Sequence, residues 1–275
     1  MELTQLKSKL RFARKMYKNF LYHIPVMLGA RIIELKLSDG FNLNYVRNCH
    51  IAQAISQEAF EKEEIKLVLN ALTDTKVFLN IGANTGLYSI IAMKKGVNSV
   101  YAIEPSIANV KIMKKNMQLN NAESIHIYQC GVGKTKQTMM LYRDPKYPKL
   151  ETHYTFVKDG KNPEDEISNV EIYTMDQIID KTVGQNTTGL LIVIDVEGFE
   201  SEVLGGWRKL SELPLGTRIM MEITRNVEDY IIKFEKCGYQ LIFNSGSKNH
   251  NDLRIRDGNL FFVKSDEHRQ ALRIN

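Results

Sequence analysis

The sequence predicts an α/β protein with a doubly wound, mainly parallel sheet of seven strands. Two observations support this: from Val77 onward short apolar runs alternate with longer helix-like segments, and glycines follow the first run. Alternating elements of this kind pack as parallel strands with crossover helices on both faces. The predicted strands are 77–81, 99–104, 125–129, 190–195, 217–223, 239–243 and 259–264, and the predicted helices lie near 86–95, 106–120, 174–181, 199–211 and 226–236.

Residues 1–76 are predicted to form an N-terminal extension, and residues 77–275 the domain that contains the sheet. Within the extension, apolar and polar residues alternate over 31–46 around an Asp-Gly pair, which predicts a β-hairpin. Residues 51–72 have the pattern of a helix. No stretch of biased composition separates the two parts.

Residues 1–25 form a basic amphipathic pattern. Apolar residues recur at spacings of three and four, and lysines and arginines occupy many of the remaining positions. This spacing predicts a helix with one apolar stripe, whose members are Leu3, Leu6, Leu10, Ala13, Tyr17, Phe20 and Ile24. Three interpretations stay open: the helix packs on its own domain or on a second subunit of a homo-oligomer, it lies on an anionic membrane surface, or it contacts nucleic acid.

The composition is that of an ordinary globular protein. Of 275 residues, 43% are hydrophobic and 25% charged, with a formal net charge of +5, so an anionic partner is permitted but not required. The three cysteines, Cys49, Cys130 and Cys237, form no C-x-x-C pair, which argues against a disulfide framework and a zinc site. No apolar stretch approaches the roughly 20 residues of a membrane span. We expect a cytoplasmic protein, peripheral to the inner membrane face if the basic helix binds lipid.

The segment VFLNIGANTG, residues 77–86, predicts a buried strand followed by a glycine turn, where a ligand can approach the backbone closely. A phosphate-binding loop has the pattern G-x-x-x-x-G-K-[ST]; here Gly82 and Gly86 are one residue too close and no lysine follows. A dinucleotide turn has glycine where this chain has Asn84. Neither interpretation fits the segment.

The end of the next predicted strand indicates a different ligand. Glu104 lies about 20 residues beyond Gly82, where a carboxylate accepts hydrogen bonds from both hydroxyls of a ribose. One glycine turn and one acidic strand end together suit a nucleoside without a phosphate chain. S-adenosylmethionine is the common cofactor of this kind, and Asn80 and Asn84 offer amides to its amino-acid end. The alternative is that the glycines only form a tight turn.

The segment LLIVIDVEGFESEVLGG, residues 190–206, is the second informative stretch. Its apolar strand brings Asp195 and Glu197 to the carboxyl edge of the sheet, and Gly198 opens a helix. Two carboxylates directly after a buried strand are costly unless cationic or hydrogen-bonding groups meet them. The alternative is that these acids stabilise the N-terminus of the helix, which would account for Glu197 or Glu200 better than for Asp195.

Seven segments of the chain resemble the FkbM-type S-adenosylmethionine-dependent methyltransferases, in the order in which that family has them. The segments are FLNIGANTGLYSI, VYAIEPS, CGVGKTKQ, YTMDQII, VIDVEGFESEVLGG, IMMEI and CGYQLIF, within residues 77–264. The resemblance implies a class I methyltransferase fold for residues 77–275. It also implies methylation of a hydroxyl, often on a sugar or a polyketide, with S-adenosylmethionine as the cofactor.

The resemblance also implies a set of cofactor-binding residues. The turn would line the cofactor, Glu104 would hold the ribose, Cys130 and Gly131 would face the adenine, and Asp195 would lie near the methionine end. The family usually has aspartate where this chain has Asn80, so we expect weakened cofactor binding. The full predicted set is Asn80, Gly82, Asn84, Thr85, Gly86, Glu104, Pro105, Ser106, Cys130, Gly131 and Asp195.

Transfer of a methyl group to a hydroxyl needs alignment of the acceptor and a group that removes its proton. Glu197 is the first candidate for this general base, with Asp195 and His153 behind it. Glu222, at the end of the next strand, is an alternative base or acceptor ligand. The carboxylate oxygens of Asp195, Glu197 and Glu222 could together bind a divalent metal such as Mg²⁺. Acids at adjacent strand ends are common without a metal, so no metal site is predicted.

Between residues 137 and 172 the alternation lapses. The segments TMMLYRD and VEIYT predict a strand pair, joined by a long connection that holds Tyr147, His153, Tyr154 and Phe156. A long loop above the carboxyl edge of a sheet can act as a lid, and aromatic rings with polar edges suit sugars. We therefore expect this insertion to contact a glycan or another small hydroxylated acceptor.

Two other functions remain as rivals. A catalytically degenerate protein that binds S-adenosylmethionine without transferring methyl groups is made plausible by Asn80. A nucleic-acid methyltransferase is made plausible by the basic N-terminal segment, but enzymes that methylate the amino groups of bases usually have an N/D-P-P-Y/F/W element where this chain has IDVEGF. Nucleic acid is therefore not the expected partner.

Overall fold

The computed structural model describes residues 13, 16–17, 31–37, 40–47, 49–56, 62–143, 154–156, 166–184, 187–223, 225–246 and 258–265. Ala13, Met16 and Tyr17 are helical and exposed, and the rest of the predicted helix 1–25 lies outside the described residues. His153 also lies outside them, as does most of the predicted connection that contains it. Within the described part, no helix has the length and apolar character needed to cross a membrane.

The described elements alternate as predicted from Val77 onward. The strands are β1 (Ile32–Lys36), β2 (Asn42–Val46), β3 (Val77–Ile81), β4 (Ser99–Ile103), β5 (His126–Tyr128), β6 (Gly131–Val132), β7 (Gln137–Arg143), β8 (Tyr154–Thr155), β9 (Glu166–Tyr173), β10 (Leu190–Ile194), β11 (Arg218–Ile223), β12 (Tyr239–Asn244) and β13 (Gly258–Lys264). The helices are α1 (His50–Ser56), α2 (Lys62–Ala71), α3 (Leu87–Lys94), α4 (Ile107–Leu119), α5 (Met175–Thr182), α6 (Glu200–Gly205) and α7 (Val227–Lys236).

The main sheet of the described part has the order β12-β13-β11-β10-β3-β4-β5. From β11 to β5 the neighbours pair in parallel, whereas β13 is antiparallel to both β11 and β12. This confirms the predicted doubly wound, mainly parallel sheet of seven strands. The strand that comes first along the chain in this sheet, β3, lies beside β10 near the centre. From β3 the chain adds β4 and β5 on one side and then β10 and β11 on the other. Open α/β sheets bind ligands at such a reversal of strand order, beyond the carboxyl ends of the strands.

Hydrophobic burial on both faces holds the main sheet. Every residue of β10 is buried, as expected for a parallel strand covered by helices on both sides. One face packs with α3, α4 and the N-terminal elements, and the other packs with α5, α6 and α7. At full burial each large apolar side chain stabilises the fold by about 1.5–3 kcal/mol.

The predicted hairpin is confirmed as the antiparallel pair of β1 and β2. Its inward residues Leu35, Leu43 and Tyr45 are at most 1% exposed. They belong to the apolar cluster on the face of the main sheet that α3 and α4 cover. Helix was predicted throughout 51–72; the structure places α1 and α2 within that span, followed by a short 3-10 helix at Leu72–Asp74. The boundary at residue 76 between an extension and the sheet domain stays a prediction.

The predicted strand pair of the insertion is also confirmed. The strands β7 and β9 pair antiparallel, and β6 and β8 extend them to a second sheet of order β6-β9-β7-β8. Buried side chains of this sheet pack with Phe199, which precedes α6. The second sheet therefore lies against the segment that follows β10.

The predicted helix at 199–211 is shorter than expected. Helix α6 ends at Gly205, and a separate 3-10 helix covers Lys209–Glu212. A Cβ on Gly206 would lie 2.2 Å from the carbonyl oxygen of Gly133. The backbone after α6 therefore packs directly against the strand region after β6, and the helix ends where this contact is made.

Candidate functional site

An open cleft of about 580 Å³, counting the space at its mouth, lies at the carboxyl ends of β3, β4 and β10. The second sheet and the start of α6 supply its other walls. The lining residues are Ile81, Gly82, Asn84, Ile103, Glu104, Pro105, Asn109, Cys130, Gly131, Val132, Leu141, Tyr154, Thr155, Phe156, Asp195, Val196, Glu197 and Phe199.

The glycine turn is fixed between two neighbouring strand ends. Gly82 has φ +79°, and a Cβ there would lie 1.7 Å from the carbonyl oxygen of Asp195. The backbone amides of Gly82 and Ala83 both donate to the carbonyl of Ile103, at 2.9 Å each. Only glycine permits this close approach, so the turn brings the ends of β3, β4 and β10 together around one point.

Glu104 is the most strongly held polar side chain of the cleft. Its Oε2 accepts a hydrogen bond from the backbone amide of Asn84 at 2.7 Å, and its Oε1 accepts from the amide of Ser106 at 2.9 Å and from Nδ2 of Asn109 at 3.1 Å. The side chain is 4% exposed. Burial raises the pKa of this carboxyl to about 7, against the opposing effect of the three hydrogen bonds. Oε2 accepts one described bond and so has capacity for a ligand hydroxyl.

Asn80 lies under the turn and does not line the cleft. Its side chain is 2% exposed, and its Nδ2 donates to Oγ of Ser89 on α3 at 3.0 Å. The neighbours of Asn80 on β3, Leu79 and Ile81, face the opposite apolar cluster. Its amide therefore ties β3 to the following helix, and its predicted contact with the cofactor stays a prediction.

Three more residues of the predicted set lie beside the cleft lining. Thr85 is fully buried against Tyr45, and Gly86 precedes α3 with φ +92°. Ser106 caps α4, because its Oγ accepts a hydrogen bond from the amide of Asn109 at 3.3 Å. Their described contacts support the turn and Glu104. The predicted residues that the structure brings together along the cleft are Gly82, Asn84, Glu104, Pro105, Cys130, Gly131, Asp195 and Glu197.

The acidic residues after β10 have different surroundings. Asp195 and Glu197 line the cleft and are partly exposed, and the backbone amide of Asp195 donates to the carbonyl of Ile81 at 2.9 Å. Glu200 is 4% exposed, and its Oε1 accepts from the amide of Gly198 at 2.8 Å. Burial raises the pKa of Glu200. Glu200 thus bonds the backbone just before α6, whereas Asp195 and Glu197 face the cleft.

Three aromatic residues, Tyr154, Phe156 and Phe199, form an aromatic wall of the same cleft. The rings of Phe156 and Phe199 are 5.3 Å apart between centroids, and Tyr154 lines the cleft beside them. Oγ1 of Thr155 donates to the backbone carbonyl of Glu197 at 3.2 Å. This bond attaches β8 of the second sheet to the acidic segment, so the wall and the carboxylates are held relative to each other.

The charge of the cleft decides which ligands fit it. Its described lining contains three carboxylates, Glu104, Asp195 and Glu197, and no lysine or arginine. A phosphate chain would find no cation there, whereas a sulfonium and an ammonium group would be attracted. The residues therefore fit S-adenosylmethionine: Glu104 would hold the ribose, and Asp195 with the backbone of the turn would meet the methionine end.

The three acids considered for a divalent metal do not all lie along the cleft. Glu222 does not line the cleft, although Asp195 and Glu197 do. Among the residues that the structure describes, no group of three or more His, Cys, Asp or Glu side chains is placed to hold a metal ion.

Several cleft residues were not predicted from the sequence. Asn109 lies in the first turn of α4, five residues after Glu104, and a polar residue at that distance could have been recognised as a partner of the carboxylate. Phe199 follows the predicted acidic segment directly. Leu141 and Val196 gave no signal in the sequence beyond their apolar character.

The strand order, with the antiparallel strand β13 between β11 and β12, is that of a class I methyltransferase fold. A family model for the methyltransferase FkbM domain matches residues 80–241, more than half of the chain. The chain belongs to this family and is therefore an S-adenosylmethionine-dependent methyltransferase. A search of curated proteins gave no significant match.

Solved structures similar to this chain include three methyltransferases. The SAM-dependent methyltransferase from Agrobacterium tumefaciens is 12% identical, with 85% of this chain and 69% of that chain covered and a TM-score of 0.44. An rRNA methylase from Streptococcus thermophilus is 9% identical, with 74% and 95% covered and a TM-score of 0.44. The O-methyltransferase from Bacillus cereus, solved in complex with SAH, is 12% identical, with 74% and 82% covered and a TM-score of 0.41.

Proposed function

We propose that the enzyme methylates a hydroxyl group of a sugar, a glycan or a related uncharged metabolite. The observation that carries this proposal is the composition of the cleft: three carboxylates and an aromatic wall, with no cationic side chain among the described lining residues. A polyanionic acceptor such as nucleic acid would be repelled by this lining. Aromatic faces beside carboxylates instead suit a sugar ring, whose hydroxyls donate hydrogen bonds.

Glu197 is our candidate for the general base. It lines the cleft beside Asp195, on a backbone with φ +51° that turns the chain sharply before α6. When bound, S-adenosylmethionine would supply an electrophilic methyl group, and its transfer to the acceptor oxygen would release S-adenosylhomocysteine. The Glu197 carboxylate would take the proton of that hydroxyl, and Asp195 is the second candidate. His153, which the structure does not describe, stays a predicted third candidate for the general base.

The second sheet is our candidate for the acceptor wall. Tyr154 offers a partly exposed ring, while Phe156 is buried against Phe199 and anchors the strand. A deletion of the insertion between residues 137 and 172 would also remove the contact of Phe156 with Phe199. A substitution of Tyr154 alone therefore tests acceptor binding more selectively. Tyr154→Ala should raise the KM for the acceptor and leave the affinity for S-adenosylhomocysteine unchanged.

We further propose a cytoplasmic location and an acceptor that is not nucleic acid. All three cysteines are free, and two of them, Cys49 and Cys130, are buried, which suits a reducing compartment. Two measurements test interpretations of the basic segment 1–25. Sedimentation with anionic vesicles tests binding to a membrane surface, and light scattering tests whether the protein is a homo-oligomer.

The function is tested with S-adenosylmethionine labelled in its methyl group and three separate acceptor pools: neutral sugars and glycans, small carboxylic acids, and total RNA. We expect label in the first pool, bound as an alkali-stable methyl ether. Label that alkali releases would indicate a carboxylate acceptor, and label in RNA would indicate the nucleic-acid rival; either result contradicts the proposal. Binding of the cofactor without transfer to any pool would favour the degenerate rival.

A further inference from the structure

A buried polar cluster contacts the glycine turn from the side of the N-terminal hairpin. The phenol of Tyr45, on β2, donates to the carbonyl oxygen of Thr85 at 2.8 Å and lies 2.9 Å from its Oγ1. Nδ2 of Asn116, on α4, donates to the same carbonyl at 2.9 Å. All three side chains are fully buried. Tyr45 precedes the residues 80–241 that the family model matches.

The turn that these groups contact has left-handed backbone at three positions, one of which, Asn84, is not a glycine. Gly82, Asn84 and Gly86 all have φ between +50° and +92°. Backbone of this kind persists when surrounding contacts over-determine it. The peptide between Thr85 and Gly86 is held at both ends: its carbonyl accepts from Tyr45 and Asn116, and its amide donates to the carbonyl of Ala83 at 2.9 Å. Rotation of this peptide would break all three bonds.

The hairpin is itself fixed against α4. Oδ1 of Asn116 accepts from the backbone amide of Val46 at 2.8 Å, so this one side chain bonds both the hairpin and the turn. Asn120 accepts from the amide of Asn44 at 3.0 Å and donates to its carbonyl at 2.6 Å. The Tyr45 phenol is therefore delivered to Thr85 by an element whose own position is set by three further hydrogen bonds.

We propose that the β1–β2 hairpin is part of the cofactor site and that Tyr45 is a positioning residue for the glycine turn. By holding the Thr85 carbonyl, Tyr45 keeps the amide of Asn84 directed at Glu104 and the turn open to the nucleoside. Tyr45 acts through the turn and does not line the cleft. This inference concerns the affinity for S-adenosylmethionine and is independent of the acceptor.

The test compares Tyr45→Phe with a matched control, Tyr239→Phe. Tyr239 is also fully buried, and its phenol donates to a backbone carbonyl, that of Leu210, at 3.2 Å. Each variant loses one hydroxyl and keeps its ring. Calorimetric titration with S-adenosylhomocysteine should show affinity about threefold to tenfold lower for Tyr45→Phe and unchanged for Tyr239→Phe, since a net hydrogen bond changes an equilibrium by about this factor.

Two outcomes would overturn the inference: unchanged affinity in Tyr45→Phe, or an equal loss of affinity in both variants, which would reflect general destabilisation. Denaturant unfolding measures the free energy of unfolding of both variants separately. Should Tyr45→Phe fail to fold, Asn116→Leu decides, because it removes the second side-chain donor to the Thr85 carbonyl; weaker binding supports the inference and unchanged binding contradicts it. Absence of binding by the unaltered protein would instead contradict its cofactor assignment.

Discussion

The backbone amide of Asn84 donates to Oε2 of Glu104 across 2.7 Å, which joins the glycine turn after β3 to the end of β4. The carboxylate expected to hold the cofactor's ribose therefore also holds the turn against which the nucleoside lies. Because Ser106 and Asn109 donate to the other oxygen, the orientation of the carboxylate is set by the protein before any ligand binds.

Glu104→Gln should weaken the binding of S-adenosylhomocysteine by roughly tenfold or more, because hydrogen bonds to a charged group contribute about 1.5–3 kcal/mol. Glu200→Gln is the matched control: Glu200 is equally buried and also accepts a backbone amide, but it lies outside the cleft lining. Calorimetry on both variants measures the difference. Equal affinities in the two variants would remove Glu104 from the site.

The pH dependence of binding should follow the same carboxyl. Burial raises the pKa of Glu104 from 4.5 to about 7, so the unliganded fold favours its protonated form. Ribose hydroxyls donate to the charged form, and affinity should therefore rise as the pH increases through about 7, with release of a proton on binding. Titrations in two buffers of different ionisation enthalpy measure this release, which should vanish in Glu104→Gln.

The stability of the unliganded protein should change in the opposite direction. Since the folded pKa of Glu104 lies above the unfolded one, its contribution is fully present below about pH 4.5 and is lost as the pH rises through about 7. Unfolding by urea at a series of pH values, on the unaltered protein and on Glu104→Gln, isolates this contribution. A difference between the two proteins that does not vary with pH would contradict the assigned shift.

Glu197→Gln should lower the rate of methyl transfer by about 10²- to 10⁴-fold, the usual contribution of a general base. The affinity for S-adenosylhomocysteine should stay the same, because the amide keeps the shape of the side chain. The exposed Glu228, in the first turn of α7, provides a control substitution to Gln that should leave the rate unchanged. Full activity in Glu197→Gln would transfer the role of base to Asp195 or another group.

Gly82→Ala should destabilise the fold far more than Gly96→Ala. Both glycines have positive φ, which costs an alanine about 1–2 kcal/mol. A Cβ on Gly96 would meet nothing within 4 Å, whereas one on Gly82 would lie 1.7 Å from the Asp195 carbonyl oxygen. Denaturant unfolding should show this additional loss, and similar values for the two variants would mean that β3 and β10 separate at little cost.

The fold could be predicted because its signal is local. The mostly apolar five-residue strands β3 and β10 each have a glycine at one end, and burial on both faces leaves this apolar pattern in the sequence. The end of α6 could not be predicted in this way. There Gly206 packs close to the Gly133 carbonyl, a contact between segments far apart in the sequence.

The candidate site was predictable where a residue type has a direct chemical role. Glu104 and Asp195 were recognised as acids at strand ends, and both line the cleft. The hydrogen bond of Asn80 to Ser89 on the next helix had no signal in the sequence, and the contact of Asn80 with the cofactor stays a prediction. Tyr45 was unnoticed because an alternating strand pattern shows that a side chain is buried and does not show which distant group it contacts.

The central claim is that Glu104 and the glycine turn hold the nucleoside of S-adenosylmethionine. The most direct test is a crystal structure of the protein with S-adenosylhomocysteine. We predict that both ribose hydroxyls lie within hydrogen-bond distance of the Glu104 carboxylate, with the amino-acid end beside Asp195. A nucleoside bound elsewhere, or a ribose turned away from Glu104, would contradict the account.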